Sequence, residues 1–510
     1  MKKRLLSVLL ALLVAAGAVM ATDSKREFRS VWMAAMGIDW PLTAGTDAQS
    51  QAAAKQELID YLDAYKAHNF TGVCIHVRPL ADALYKSSYE PWSASVSGTR
   101  GVDPGWDPLQ FAVEECHRRG LECYAWVNPF RIDHYGNVND TPQDKDWVDR
   151  GLAFTQGKWT VFNPGLPAAR EHCFKVIEEI YNNYQIDGLL FDDYFYPGTG
   201  MPDDESAPDY KLWQDSGTTM NIADWRRDNV NTFVKELYDR IQAVRPDMRF
   251  GIGPAGVGGK GAANYGMEGP GVSSDWMYDQ IYCDPMAWLR DGSVDFIAPQ
   301  IYWSRSNAKA PFSPLCKWWA QVAKHFGRHN YLSLASYRVD ADEFGGNNET
   351  GWNEFVAQIN ESRAEAHDNT PGQIYYSAKF IDGPVRDGLG SHLAKQVYTR
   401  PALVPVVDWK EHAQYPAPAG VVAKGASLSW KPVATTGRTI MRYSVYAVPQ
   451  SVEMADATGA DGIDGKYLVG VSYEPSFTLP AHLTDGYRYA VCAYDGYGFE
   501  SEPGIYTPSH

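Results

Sequence analysis

Two adjacent carboxylates, Asp192 and Asp193, end an apolar run that starts at Asp187, and Tyr194, Phe195 and Tyr196 follow them directly. Like charges at this range push their pKa values apart, so one acid stays ionised while the other can hold a proton. That division suits a reaction needing both a proton for a leaving group and a negative charge beside the reacting centre. The competing reading makes Asp192 a cap for the following loop and leaves Asp193 in solvent. Ionised carboxylates are costly to bury unpaired, which places the pair at the carboxyl end of a strand, and the aromatic flank weighs toward a site.

The run ahead of the pair is apolar on both alternating faces, as in a parallel sheet covered on both sides. Seven further runs share this texture: Arg29–Ala35, Gly72–Pro79, Leu121–Val127, Arg249–Gly253, Asp295–Trp303, Tyr331–Ala335 and Ile374–Ala378. Amphipathic helical stretches alternate with them: Gln49–His68, Leu109–Arg119, Pro167–Tyr184, Trp225–Val244, Tyr278–Leu289 and Trp352–His367. This order predicts an α/β fold, a TIM-type (β/α)8 barrel over residues 26–405, with its site at the carboxyl ends of the strands. The longest loop is expected after the fourth strand, from Pro197 to Ala223. Its Asp203-Asp204-Glu205 reads as solvated in preference to a calcium site. The Gly-rich loop from Ala255 to Ser274 has no phosphate-binding pattern.

If the barrel is correct, the strand ends bring Asp39, Trp40, Arg78, Asn128, Arg131, Tyr194, Tyr196, Gln300, Tyr302, Trp303 and Lys379 toward Asp192 and Asp193. Carboxylates, cations, amides and flat rings together suit a sugar, whose hydroxyls need directional partners and whose faces need platforms. Each residue also has a structural reading. Arg78 and Arg131 would neutralise the aspartates, Trp40 and Trp303 would pack the rim, and Lys379 would extend to solvent. Successive side chains on a strand point to opposite sides. If only one aspartate faces the cleft, Asp39 or Asp295 is the expected second carboxylate.

The remaining composition narrows the class. A net charge of −16 argues against nucleic-acid partners and anionic membrane surfaces. The seven scattered cysteines match neither a metal knuckle nor a compact disulfide framework, and no cofactor motif is present. Residues 1–21 read as a secretory signal peptide with no lipoprotein cysteine after it, which predicts a secreted or periplasmic protein without membrane insertion once the signal is removed. Aromatic residues make up 13% of the chain, and this weighs modestly toward sugar stacking. Past the Pro416-Ala417-Pro418 linker, residues 415–510 alternate in short strands, as in a small β-sandwich. This stretch resembles a fibronectin type III module, with Trp430 at the core-tryptophan position and Tyr489 at the tyrosine-corner position.

Seven segments, in order, resemble the glycosyl-hydrolase-like family ten: Glu27–Trp32, Ile38–Pro41, His76–Ala83, Ala125–Arg131, Phe191–Pro197, Asp224–Asn231 and Pro299–Trp303. The resemblance covers roughly Arg26 to Arg400. It implies an exported barrel glycosidase acting on a glycan polymer, peptidoglycan strands stripped of peptide above all. The chain departs from the family where a more aromatic or aliphatic run is expected after Gly253-Pro254, since it has Ala255-Gly256-Val257-Gly258-Gly259. The consecutive aspartates are also similar to those of O-GlcNAcase-type hexosaminidases, which implies that the substrate's own 2-acetamido oxygen is the nucleophile. Two other classes stay open at this point. One is a carbohydrate-binding or adhesive protein without catalysis, and the other is a glycosidase acting on host or dietary polysaccharide.

Overall fold

A computed structural model describes residues 24–135, 142–272, 274–366, 371–382 and 388–507; the leader expected at 1–21 lies outside the described residues. Its centre is a parallel barrel of β1 (Phe28–Met33), β2 (Gly72–Arg78), β3 (Glu122–Val127), β4 (Gly188–Phe191), β5 (Arg249–Ile252), β6 (Phe296–Ile297), β7 and β8 (Gly372–Tyr376). β7 comes in two pieces, His329–Asn330 and Leu332–Leu334. The first pairs with β6 and the second with β8, which itself pairs with β1, so the sheet closes. The helices around it are α1 (Ala48–Ala67), α2 (Pro108–Arg118), α3 (Pro167–Asn183), α4 (Ile222–Val244), α5 (Pro285–Arg290), α6 (Phe312–Phe326), α7 (Asn348–Glu365) and α8 (Leu389–Gln396). The (β/α)8 expectation holds.

The differences from the sequence reading are local. β6 stops as a continuous strand well short of Trp303, and beyond Pro299, which has no N–H to give, pairing goes on as isolated bridges of Gln300 to Ala255 and Ser333. The single helix expected over Tyr278–Leu289 is interrupted, and α5 starts anew at Pro285 under an Asp284 cap whose side chain accepts from Ala287 N. α6 was not anticipated; its Pro314 falls in the first turn, where a missing N–H costs little. The longest strand-to-helix connection follows β3 (residues 128–166) rather than β4 (residues 192–221). It includes a small antiparallel sheet of Arg131–Asp133, Ala153–Gln156 and Trp159–Phe162. All seven cysteines are buried and free.

Rings fill the barrel interior. Phe28 stacks on Tyr331 with centroids 4.5 Å apart and meets Tyr124 edge-on at 5.2 Å. Glycines make room for them: a Cβ on Gly188 would lie 2.1 Å from the Tyr124 ring, and one on Gly251 would lie 2.3 Å from Phe296. Above this layer Trp32, Trp126 and Leu190 belong to the same inner cluster, whereas Leu189 and Phe191 pack outward under the helices. Strand alternation therefore carries the inward row of β4 from Gly188 through Leu190 to Asp192.

The carboxyl-terminal region forms two larger antiparallel sheets and a two-stranded ribbon of Thr458–Gly459 with Gly462–Ile463. One holds Val422–Lys424, Ser427–Ser429 and Ser476–Thr478; the other holds Leu468–Ser472, Arg442–Pro449, Tyr487–Tyr494 and Gly504–Tyr506. Trp430, Tyr443, Val445 and Val491 share a core, and the Tyr489 hydroxyl donates toward the carbonyls of Leu483 (2.8 Å) and Thr484 (2.9 Å). These sheets brace the amino end of the barrel. Arg249, at the start of β5, donates to the carbonyls of Gly496 and Pro405, and Asp187, just ahead of β4, accepts from Arg442 and from the Tyr473 hydroxyl. On the barrel side Asp187 accepts from Cys123 N at 2.7 Å and faces His117 Nε2 at 2.9 Å.

Burial works to raise the Asp187 pKa, but His117 and Arg442 outweigh it and hold the carboxyl well below the usual range. A depressed carboxylate contributes its full stabilisation above its unfolded pKa of about 4 and loses it as pH falls toward the folded value. Removing one partner of a buried pair leaves the other charge uncompensated. Arg442→Met is therefore expected to lower the unfolding free energy by about 3–5 kcal/mol, with the difference narrowing below about pH 4. Urea denaturation at pH 7 and pH 3 checks this, and an unchanged midpoint at pH 7 removes the network from the stability account.

Candidate active site

At the carboxyl end of the barrel a cleft of about 290 Å³ opens, and Asp192 lies in its wall. Its lining comes from most of the strands: Trp32 from β1 and Ala34 just past it, His76 from β2, Trp126 from β3, Gln300 and Tyr302 after β6, and Tyr376 from β8. Arg131, His134 and Tyr135 reach in from the connection after β3, and Tyr194 from the connection after β4. Among the described residues lining this cleft, Asp192 is the one carboxylate.

Asp192 is held from several sides. Its Oδ2 accepts from the Asn128 side-chain amide and its Oδ1 from Tyr194 N at 3.3 Å. The same Asn128 offers its Oδ1 to Arg131 at 2.8 Å and faces His76 Nε2. Burial raises the Asp192 pKa, against the pull of Arg131 and of the Asn128 hydrogen bond. Asp193 is buried too, with Gln300 beside it, and its Oδ1 has no hydrogen-bond partner. Burial first, and the charge of Asp192 second, push its carboxyl up to about 8. Of the two acids, Asp193 is therefore the one held toward its protonated form.

Rings form two walls beside the pair. On one side Tyr194 lies under the Arg131 guanidinium (5.2 Å) and packs against Trp159 (5.5 Å), which neighbours His134 (5.6 Å). On the other, Tyr376 stacks on Tyr302 (5.9 Å) and meets Trp126 and Tyr337 edge-on. Gly253 gives this floor its closeness, since a Cβ there would approach the Trp32 indole to 3.1 Å. In the Gly-rich loop a Cβ on Gly256 would sit 2.2 Å from the Gln300 carbonyl, so bulk is sterically excluded where that loop meets β6.

Of the residues expected here, the structure brings together Asp192, Asp193, Asn128, Arg131, Tyr194, Gln300 and Tyr302. It places the others elsewhere. Arg78 is fully buried, bonded to Glu90 through Nε (2.7 Å) and Nη2 and to the carbonyls of Asn128 and Pro129, not to the aspartates. The ladder between β2 and β3 shifts register between His76 and Arg78, which turns the guanidinium away. Asp39 ties two strand ends together by accepting from Ala34 N (2.8 Å), Ser377 Oγ (2.9 Å) and Lys379 N (3.0 Å). Asp295 lies at the opposite end of the barrel, ion-paired to Lys410 at 2.7 Å. Neither acts as the second carboxylate of the cleft.

Trp40 donates to the Ala54 carbonyl within the outer core. Tyr196 is fully buried against Tyr282, Trp303 packs on the outer core, and the Lys379 ammonium lies over the Phe380 ring. Asp203, in the acidic triplet, pairs with Arg226 at 3.0 Å. The reading of strand ends overlooked Trp32, His76, Trp126 and Tyr376. A readable signal did exist: Trp126 stands two positions before Asn128, on the same side of the strand.

Residues 27–353 match the glycosyl hydrolase-like 10 family. Glycosyl hydrolase YngK of Bacillus subtilis is 36% identical over 76% of this chain and 75% of its own length. Glycosyl hydrolase DigH of Escherichia coli K12 is 33% identical over 62% of this chain and 75% of its own. Among solved structures, the PgaB (BpsB) glycoside hydrolase domain from Bordetella bronchiseptica superposes with a TM-score of 0.46 at 14% identity. It covers 72% of this chain and 98% of that one, a likeness too slight to bear on the assignment.

The Arg78–Glu90 pair yields a test of structural against substrate-binding roles. Burial works to raise Glu90, yet Arg78 and His172 bring it down to about 2. Arg78→Met is expected to cost about 3–5 kcal/mol of stability by stranding that charge, while KM at a temperature where the variant is folded stays within about twofold of wild type. A large rise in KM without loss of stability would return Arg78 to the cleft.

Proposed function

The chain belongs to the glycosyl hydrolase-like 10 family and is a glycoside hydrolase, and we propose that it is exported to cleave a glycan of 2-acetamido sugars, peptide-stripped peptidoglycan strands foremost. The observation that carries the proposal is the arrangement of the carboxylates. Asp192 lies in the cleft wall with Asp193, an acid pushed toward its protonated form, buried directly beside it, and the described lining of the cleft supplies no carboxylate other than Asp192. Glycoside cleavage needs an acid for the leaving oxygen and a second group to meet the oxocarbenium-like centre. With Asp39 and Asp295 engaged elsewhere, the nucleophile falls to the substrate, whose acetamido oxygen can attack from within.

In this reading Asp193 protonates the glycosidic oxygen as the bond to the anomeric carbon breaks. Asp192, charged and held by Asn128, orients the acetamido group and balances the positive charge that develops on it. The acetamido oxygen closes on the anomeric carbon as the leaving sugar departs. Asp193, now ionised, then takes a proton from the incoming water, which opens the ring intermediate. Tyr194, Tyr302, Tyr376, Trp32 and Trp126 supply apolar faces for the sugar rings, and Arg131 and Gln300 supply donors for hydroxyls. Wall glycans carry an acetamido group on both sugars, which fits the chemistry, and the leader expected from the sequence at residues 1–21 favours an exported location.

Asp192→Asn and Asp193→Asn, assayed on purified glycan strands by new reducing ends and by mass spectrometry of soluble products, are each expected to lose roughly 10²–10⁴-fold in kcat. Because Asp193 works protonated, kcat/KM of the wild type is expected to fall as pH rises through about 8, and Asp193→Asn loses that limb. Near-native turnover in both variants would remove the pair from catalysis. Products from other polysaccharides but none from wall strands would overturn the substrate.

A further inference from the structure

The side chain that joins the cleft's charged groups is an amide, Asn128, and its orientation is set by chemistry alone. Arg131 has only donors to offer, and its Nη2 lies 2.8 Å from one terminal atom of Asn128, so that atom is the carbonyl oxygen. The nitrogen must then face Asp192, to whose Oδ2 it donates. His76 Nε2 meets the same carbonyl oxygen and therefore carries the hydrogen. Turning the amide over would set N–H against guanidinium and a lone pair against carboxylate. His76 is fixed in turn by face-to-face packing on Trp126, with centroids 3.7 Å apart and planes 8° from parallel. Its Nδ1 is buried without a partner.

We infer that Asn128 is a positioning residue that makes Asp192, rather than Asp193, the ionised member of the pair, and that Arg131 and His76 lock its amide in the orientation that does so. The asymmetry is in the donors. Asp192 receives N–H groups on both oxygens, from Asn128 and from Tyr194, whereas Asp193 Oδ1 receives none and the acid's side-chain partner is Gln300. Donated hydrogen bonds favour the charged form of an acid, and their absence in a buried site favours the neutral one. The groups facing Asp192 are His76 from β2, Arg131 from the connection after β3, Asp193 and Tyr194 beyond β4, Cys283 ahead of α5 and Tyr376 at the end of β8. Burial and the Arg131 charge both hold His76 neutral, so it acts as a donor and not as a titrating acid. The catalytic meaning of this division rests on the glycosidase roles proposed for the pair, but the division itself can be tested without them.

The test uses the full-length enzyme with Asn128→Leu, His76→Gln and His76→Leu. Glutamine places an N–H near the position of His76 Nε2, and leucine removes it. In the substrate-free protein, carboxyl titration followed by ¹³C NMR of labelled aspartate is expected to show the Asp192 pKa rising by about one unit or more in Asn128→Leu. The shift should be smaller in His76→Leu and close to zero in His76→Gln. In turnover, Asn128→Leu is expected to lower kcat by on the order of a hundredfold with KM within about threefold, and to move the acid limb of kcat/KM to higher pH. An Asp192 titration unmoved in both leucine variants overturns the inference, as does a rise in KM alone. If Asn128→Leu does not fold, the contrast between the two His76 variants decides the matter. A moved titration together with full activity in Asp192→Asn would uphold the relay and reject the catalytic reading.

Discussion

Everything at this site follows from the cost of burying charge at both ends of one short strand. β4 carries Asp187 at its amino end and Asp192 with Asp193 at its carboxyl end, all of them buried. Desolvation pushes each carboxyl toward its neutral form, and the neighbours decide the outcome. Asp187 is compensated by Arg442, by Tyr473 and by the His117 and Cys123 contacts, and it stays charged. Asp193 lies beside the Asp192 carboxylate and has an oxygen without a donor, and it is pushed toward its protonated form. Charge at the amino end is thus compensated from two sides, by His117 and Cys123 of the barrel and by Arg442 and Tyr473 of the carboxyl-terminal region.

This separation gives the carboxyl-terminal sheets a physical role in the enzyme. Arg442 and Tyr473 approach the barrel at its amino end, opposite the cleft of Asp192, and Arg249 ties β5 to the main-chain carbonyls of Pro405 and Gly496. A barrel strand anchored at its amino end has less freedom to move at its carboxyl end, where catalytic geometry must hold within about half an ångström. The mouth remains open because the brace occupies the opposite face.

The barrel was legible because its strands are buried on both faces and read as unbroken apolar runs between helical periods. Proline blurred the boundaries: β6 gives way to isolated bridges past Pro299, and Pro314 hid the start of α6. The aspartate pair was legible for the same reason the fold was, since charge at the end of a buried run has few structural explanations. The other site residues depended on tertiary facts that a local pattern does not contain. Arg78 stands two positions after His76, and alternation alone would aim both at the cleft. A register shift between them, and Glu90 waiting in the next loop, send the guanidinium the other way.

Asp39 has the opposite lesson. An acid after a first strand, beside Trp40, looks like a second carboxylate, yet its three partners come from β1 and from the segment following β8. Those two strands are the first and last of the barrel, so Asp39 helps seal the seam at which the sheet closes. Burial raises its pKa even so, and hydrogen bonds from Ala34, Lys379 and Ser377 oppose the rise. A perturbed acid near an active site is therefore not by itself a catalytic one. What separates the two acids is their surroundings: Asp39 has donors on both oxygens, whereas Asp193 Oδ1 is buried without one and lies beside the charge of Asp192.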